Sequence, residues 1–436
     1  MSKTIVKPSI LPGFMELLPG EQILFNKMLD IIRKNYEKFG FLPIDTPVIE
    51  KAEILLAKGG GETEQQMYRF EKGDTDLAMR FDLTVPLARY VAQHFPELNF
   101  PFKRYQIGKV YRGERAQRGR FREFYQCDID IIGNGKLDII NDAEIPSIIY
   151  STFTELGFNS FTIKINNRKL LKGFFQNLDI EDSTEVLRTI DKLEKIGIEK
   201  IKEELISQGI SDEEINKILE FIKIAGTNEE KLQKLEDLNI DNEVFKEGLE
   251  ELKAVNKYVA AFGVPKENYI IDLTIARGLD YYTGTVYETF LDDYPSLGSV
   301  CSGGRYDNLA EYYTKQKLPG VGISIGLTRL FYQLNEAGLI KFEDKSLTKV
   351  LIIPMKDCLE PSIKIANKLR DENINTQIYL ETGKMGKKFG FADKEDIPYT
   401  LIVGEEEIKE EKYTLRNMET GEQEMLSIEE ILSILK

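Results

Sequence analysis

Apolar side chains at Ile23, Leu24, Met28, Ile31, Ile32 and Tyr36 recur near a 3.6-residue period, with Pro19-Gly20 ahead of them and Gly40 behind. The spacing predicts a helix over Glu21–Phe39. The next stretch, Phe41–Glu50, reads as a strand. Pro43 and Pro47 restrict it to an edge or interface position, because proline cannot donate to a ladder. Gly59-Gly60-Gly61 predicts a mobile loop. Residues 77–132 alternate strand-like pieces around a loop centred on Arg115–Gly119, and Phe161–Asn166 is another β-rich run. From about 168 to 260 the pattern changes. Lys and Glu dominate, while Leu187, Ile190 and Leu193, then Ile198, Ile201 and Leu205, then Ile215, Leu219 and Ile222 keep helical spacing. Gly197 and Gly209 fall between these groups, so the stretch predicts an all-helical insert. Strand character returns at 269–273 and 286–290. After a hinge expected at Asn335–Ser346, strands at 350–355, 376–380 and 399–404 alternate with helices at 360–372 and 384–393, which predicts a small parallel or mixed sheet.

At 436 residues the chain has room for two to four domains at roughly 100–200 residues each. No run approaches the ~18 apolar residues of a membrane span, and the N-terminus lacks an apolar signal core. A cytoplasmic protein with no membrane partner is the expectation. Three distant cysteines (Cys127, Cys301, Cys358) and a single histidine, His94, leave no disulfide framework, no metal site and no Ser-His-Asp triad. Neither G-x-x-x-x-G-K-[ST] nor G-x-G-x-x-G occurs, so no P-loop or dinucleotide fingerprint is present. The net charge of −15 argues against a general nucleic-acid coat. Within residues 102–123, however, eight basic side chains oppose two acids, a local balance of +6, and six of the eight are arginines. Guanidinium at that density suits bidentate binding of phosphate or carboxylate.

Arg104-Tyr-Gln-Ile-Gly-Lys-Val-Tyr-Arg112-Gly-Glu114, followed by Gly119-Arg120-Phe-Arg-Glu-Phe-Tyr-Gln126-Cys-Asp-Ile-Asp130, resembles motif 2 of class II aminoacyl-tRNA synthetases. Gly322-Ile-Ser-Ile-Gly-Leu-Thr-Arg329 resembles motif 3, and Phe39–Glu50 resembles motif 1, the dimer-interface strand. Ala276-Arg277-Gly-Leu-Asp-Tyr281-Tyr282-Thr-Gly284 and Ser302-Gly-Gly-Arg305-Tyr-Asp307 are similar to two motifs peculiar to histidyl-tRNA synthetases. The resemblance spans nearly the whole chain. It implies an α/β multidomain fold: a class II antiparallel-sheet catalytic core (1–167 and 263–335), an all-helical insertion domain (168–262) and a C-terminal α/β anticodon-binding domain (347–436).

The activity it implies is ligation of L-histidine to tRNA(His), using ATP with Mg2+, by a homodimer. Arg112 is then expected on the α-phosphate and the histidine carboxylate, Glu114 on the adenine amino group, and Arg120 and Arg329 on the outer phosphates. Arg277 supplies a further cation to the reacting carboxylate and α-phosphate, so Arg112 and Arg277 are the expected catalytic pair. Asp82 and Thr84, flanking Leu83, bind the α-ammonium together with Gln126. Asp130 and Tyr282 read the imidazole, and Tyr281 lines the pocket. Two departures stand out: Thr328 precedes Arg329 where many members carry Glu, and Asp82 and Asp130 are shorter than the Glu of some members. The rival expectation is a non-charging paralogue that regulates ATP phosphoribosyltransferase. Intact Arg112, Arg277 and Arg329 and the presence of residues 347–436 speak against it.

Overall fold

A computed structural model describes residues 6–57, 62–115, 119–180, 183–190, 193–275, 282–341 and 345–436. The chain divides into two compact units, Met1–Met15 with Leu29–Leu339, and Glu16–Met28 with Ile340–Lys436. The first contains strands β1 (Leu42–Pro43), β2 (Ile49–Lys51), β3 (Arg69–Lys72), β4 (Thr75–Met79), β5 (Phe102–Tyr111), β6 (Glu123–Ile132), β7 (Phe161–Asn167), β8 (Tyr269–Ile271), β9 (Thr285–Leu291), β10 (Cys301–Tyr306) and β11 (Gly320–Ile325). Eight of them form one sheet in the order β1-β5-β6-β11-β10-β9-β7-β8. Its inner pairs are antiparallel, and only β1 on β5 and β7 on β8 run parallel.

The first helix, Pro19–Lys38, ends where expected, at Gly40 with φ +79°. The single strand expected over Phe41–Glu50 is corrected. It is two short pieces in different sheets, β1 on the edge of the large sheet and β2 on the edge of a three-stranded sheet ordered β2-β4-β3. The prolines explain the break. Between them the chain turns: the Asp45 carboxylate accepts from the Thr46 amide at 2.9 Å, and the Arg80 guanidinium donates to the Thr46 carbonyl at 2.6 Å. The loop expected at Gly59–Gly61 lies outside the described residues.

Strand β6 alternates cleanly. Cys127, Ile129 and Ile131 are fully buried on the core face, where the Tyr36 hydroxyl donates to the Cys127 carbonyl at 2.9 Å. Gln126, Asp128 and Asp130 point to the other face. Across the sheet, Arg305 and Asp142 form a buried bidentate pair, Nη2 to Oδ1 at 2.6 Å and Nε to Oδ2 at 3.0 Å. Burial penalises the Asp142 charge and holds its carboxyl above the ordinary range, with the arginine pulling the other way.

The described residues between 168 and 261 form no strand and carry six helices, Arg168–Asn177, Ser183–Ile190, Leu193–Ser207, Asp212–Ile222, Asn228–Asp237 and Glu243–Ala261, in line with the helical pattern. Gly197, at φ +79°, breaks the third of these, and capping boxes at Ser211/Glu214 and Thr227/Glu230 start the fourth and fifth. Helices Arg168–Asn177 and Glu243–Ala261 cross backbone to backbone. A Cβ on Gly173 would collide with the Phe245 backbone, and one on Gly248 with the Leu170 backbone.

The second unit carries β12 (Val350–Pro354), β13 (Thr376–Ile378), β14 (Tyr399–Val403), β15 (Tyr413–Asn417) and β16 (Gln423–Leu426), in the order β13-β12-β14-β15-β16. The first three are parallel, as the alternation predicts. The antiparallel β15 and β16 lie beyond it and went unread. Val350, Ile352, Leu401 and Val403 pack with Ile365 and Leu369, while Leu351 and Ile353 pack with Ala392 and Ile397.

The helix crossing generates a test. Gly173→Ala gains about 1 kcal/mol of helix propensity, but it drives a methyl into backbone that cannot swing away, and overpacking costs about 1–3 kcal/mol. We expect net destabilisation in chemical denaturation; a more stable variant would show that the two helices separate freely.

Candidate functional site

The period-two face of β6 is the floor of the site. Asp130 lies in register with Arg104 on β5 and with Gly322 on β11, and Gly322 lies in register with Gly304 on β10. The glycines are required by close approach. A Cβ on Gly322 would overlap the Asp130 carboxylate, and one on Gly304 would come within 2.6 Å of the Thr285 carbonyl and 3.0 Å of the Tyr282 ring. The two glycine-rich segments are also tied directly: the Thr283 hydroxyl donates to Asp307 at 2.6 Å and its amide to the Arg305 carbonyl at 2.8 Å.

Asp130 is 3% exposed. It receives the fully buried Arg104 at 2.5 Å and the Tyr306 hydroxyl at 2.7 Å. Burial nevertheless outweighs Arg104 and pushes its carboxyl up to about 6. Asp128, next along the same face, is pushed up to about 7 for the same reason, with Arg104 and Ser324 pulling down and Asp130 and Asp82 pushing up. Asp82, just ahead of helix Thr84–Gln93, is a third buried carboxylate. Its Oδ1 accepts from the Val85 amide at 2.9 Å, and desolvation raises its carboxyl against the pull of Arg112 and Arg104. Leu83 is fully buried and its carbonyl accepts from Arg104 at 3.4 Å; Thr84 is buried at the start of the helix. Gln126 donates from Nε2 to the Ser324 hydroxyl at 2.8 Å. Three buried carboxylates thus face one fully buried guanidinium. The surplus is negative, and it favours a cationic guest.

At the end of β5 the sign reverses. The Arg112 guanidinium lies 4.3 Å from the Phe81 ring centroid and 5.0 Å from that of Phe124, and its Nε donates to the Phe81 carbonyl at 3.3 Å. Two rings and a carbonyl hold this cation in place. Glu114 pairs with Arg120 at 3.4 Å, and Arg122 donates to the Glu114 carbonyl at 3.0 Å. Arg329, on helix Leu327–Glu336, donates to the Leu297 carbonyl at 3.0 Å. The Arg120 segment packs on that same helix through Phe121 and Tyr332, whose rings are 5.2 Å apart. Thr328 does not support Arg329. Its hydroxyl accepts the Tyr125 amide of β6 at 2.8 Å, pinning the helix to the floor strand.

The structure therefore brings Asp82, Leu83, Thr84, Arg112, Gln126 and Asp130 together on and beside the floor. Tyr282 stands over Gly304, Glu114 pairs with Arg120, and Arg329 lies on the helix against which Phe121 packs. Arg277 and Tyr281 lie outside the described residues. Arg104, Asp128, Tyr306 and Ser324 were missed as site residues. The available signal was the run of polar side chains at every second position of an otherwise apolar strand, 126, 128 and 130.

A model of the histidyl-tRNA synthetase family matches residues 13–330, and one of the anticodon binding domain matches residues 349–436. The chain belongs to the histidyl-tRNA synthetase family. It is 67% identical, over the whole of both chains, to the histidine–tRNA ligase of Clostridium tetani. It is 51% identical to that of Finegoldia magna, over 99% of this chain and 100% of that one. The crystal structure of histidyl-tRNA synthetase from Nostoc sp. PCC 7120 superposes with a TM-score of 0.90 at 42% identity, covering 99% of this chain and 100% of that one. A Bacillus halodurans structure described as an ATP phosphoribosyltransferase regulatory subunit/histidyl-tRNA synthetase reaches a TM-score of 0.74 at 20% identity, over 89% of this chain and 97% of that one, a likeness of fold alone. Among the described residues no helix is long and apolar enough to cross a membrane.

The raised carboxyls make stability depend on pH. In the folded chain Asp128 and Asp130 hold their protons to about pH 7 and 6, against an ordinary value of 3.8. Ionising them costs folding free energy, a cost that is absent below the unfolded value and complete once pH exceeds the folded one. The ligand-free protein should lose roughly 3 kcal/mol between pH 5.5 and pH 8, most of it from Asp128. Asp128→Asn should flatten most of that slope in denaturant titrations; an unchanged slope would place the titrating groups elsewhere.

Proposed function

We propose that the chain is a histidine–tRNA ligase. The observation that carries this reading is the juxtaposition of a buried, net-negative strand face with the Arg112 guanidinium held between two aromatic rings, in a chain similar along its whole length to proteins of that name. An amino acid with cationic and anionic ends fits such a site in one orientation. Its ammonium meets Asp82, Thr84 and Gln126, its imidazole meets Asp130 and Tyr282 with Tyr281 alongside, and its carboxylate turns toward Arg112 and Arg277.

ATP enters as its magnesium complex, with Glu114 on the adenine amino group and Arg120 and Arg329 on the outer phosphates. A histidine carboxylate oxygen attacks the α-phosphorus and the bond to the β-phosphate oxygen breaks. Histidyl-adenylate forms and pyrophosphate leaves with the electron pair. No proton moves, so no protein base is needed; the barrier is the repulsion of two anions, which positioned guanidinium groups lower. In the second step a hydroxyl at the 3′ end of tRNA(His) attacks the carbonyl, its proton passes to a phosphate oxygen of the adenylate, and AMP departs. Residues 347–436 serve to hold the anticodon end of the same tRNA, raising its effective concentration at the core. The edge position of β1 and β2 suits a two-fold interface, and we assign a homodimer acting in the cytoplasm.

The regulatory reading has less support. The Clostridium tetani and Finegoldia magna relatives, which match the chain end to end, carry the ligase name, and both the catalytic-family and anticodon-domain models match it.

Histidine-dependent ATP–pyrophosphate exchange is the direct test, and its absence in the purified dimer would reject the proposal. Asp130→Ala should raise the KM for histidine strongly, because a site built on paired polar groups loses much when one is removed, and should leave the KM for ATP nearly unchanged. Equal effects on both substrates would make Asp130 structural. Arg277→Ala should lower exchange by orders of magnitude while sparing histidine binding; near-normal exchange would remove it from the chemistry.

A further inference from the structure

Both oxygens of Asp130 are held from within the protein, by side chains on two different strands. Tyr306 of β10 donates to Oδ1 at 2.7 Å, and Arg104 of β5 reaches Oδ2 with Nη2 at 2.5 Å. A carboxylate oxygen carries two acceptor sites, so each still has one to offer a guest N–H group. The same Arg104 nitrogen donates to the Leu83 carbonyl at 3.4 Å, between Asp82 and Thr84. One guanidinium therefore joins the imidazole acceptor to the segment proposed to bind the ammonium.

Arg104 is a poor device for stability. It is fully buried, and its Nε and Nη1 have no hydrogen-bond partner among the described residues. Donors left unpaired on a buried cation are costly. Its effect is a positive charge fixed against Asp130.

We infer that Arg104 is a positioning residue for substrate selection, holding Asp130 ionised and oriented so that it accepts an imidazole N–H. This rests on the proposed function, in which Asp130 reads the imidazole.

The surroundings of Asp130 make the arginine decisive. Burial and Asp82, ahead of helix Thr84–Gln93, oppose its ionisation, while Arg104 and Tyr306 favour it. Tyr306 is itself buried and raised, so it contributes a hydrogen bond without a charge. Asp128, the neighbouring acid on the strand, is raised to about 7 and is largely protonated where Asp130 ionises. β11 adds no charge, since Gly322 stands opposite Asp130. With Arg104 in place the carboxyl titrates at about 6. Without it one neutral hydroxyl remains against burial, and a protonated Asp130 presents a donor where an acceptor is needed.

The test is pyrophosphate exchange by the full-length enzyme across pH. Arg104→Met removes the charge and keeps an unbranched chain. At pH 7 its KM for histidine should rise about tenfold, as expected if only about a tenth of the sites carry an ionised Asp130. The KM for ATP should stay near wild type. The acid limb of kcat/KM for histidine should move up by roughly two pH units, clear of the substrate imidazole's own titration at about 6.5. At about pH 8.5 the variant's KM should therefore return most of the way to the wild-type value measured there. Arg104→Lys, which keeps a charge, should recover most of the loss at pH 7. Arg104→Gln gives the same readings should the methionine variant fail to fold. Asp130→Asn should lack the shifted limb, and adding Arg104→Met to it should cost no more. A deficit that persists at high pH, or losses that add in the double variant, would overturn the inference and leave Arg104 a structural residue. An unchanged histidine KM in Arg104→Met would also overturn it, with the ligase reading intact. That reading fails on a different result, a wild-type enzyme without histidine-dependent exchange.

Discussion

Two carboxylates, Asp128 and Asp130, buried on one strand against a single buried arginine form the constraint around which the catalytic-family unit is arranged. Desolvation disfavours both charges, and Arg104 offsets only part of that cost, since both carboxyls are left raised. The neighbouring strands show the accommodation. β11 and β10 present Gly322 and Gly304, where any side chain would collide with the acid or with the adjoining backbone. Tyr306 supplies a hydroxyl to Asp130, and the small Ser324 stands opposite Asp128 in the β11–β6 register. An apolar strand at this position would be more stable, and the polar one persists at a cost that a cationic ligand would relieve. Instability concentrated at one face is the physical mark of a site.

The elements themselves were largely legible, because their periodicities are strong and their ends chemically marked. The helix Pro19–Lys38 stops at Gly40, and the insert's helices start at Ser211, Thr227 and Asn242, whose side chains cap them. Tertiary geometry was not legible. Phe41–Glu50 reads as one strand, yet its two halves join different sheets once Arg80 anchors the turn at Thr46. The hairpin of β15 and β16 gives no helix-strand alternation and escaped notice. Lys388 belongs to a basic run, Lys384-Met-Gly-Lys387-Lys388, yet it is 9% exposed and donates to the Pro354 carbonyl at 2.9 Å.

The site was legible where chemistry is carried by motifs, and obscure where it is carried by partners. Arg104 looks like one more cation in a basic run; only the β5–β6 register turns it inward onto Asp130. Thr328 reads as the loss of a supporting acid next to Arg329. Its hydroxyl instead accepts a backbone amide of β6, and Arg329 donates to the Leu297 carbonyl on another segment. In both cases the decisive partner is distant in sequence, beyond the reach of local pattern.

The opposed signs of floor and rim bear on the proposed chemistry as a whole. A zwitterion entering this site is sorted by its own charges: the acidic floor draws the cationic groups down, and Arg112, whose charge is felt at Asp82, draws the carboxylate outward. The same field disfavours ATP on the floor, since its phosphates would meet Asp82, Asp128 and Asp130. Two substrates that repel each other are thereby kept in order before any bond changes, with the carboxylate and the α-phosphate meeting where guanidinium groups stand. Because Arg112 is held by two rings and a carbonyl, little reorganisation is left to the moment of reaction. A chain with one histidine needs no base for this step, as the nucleophile arrives already ionised.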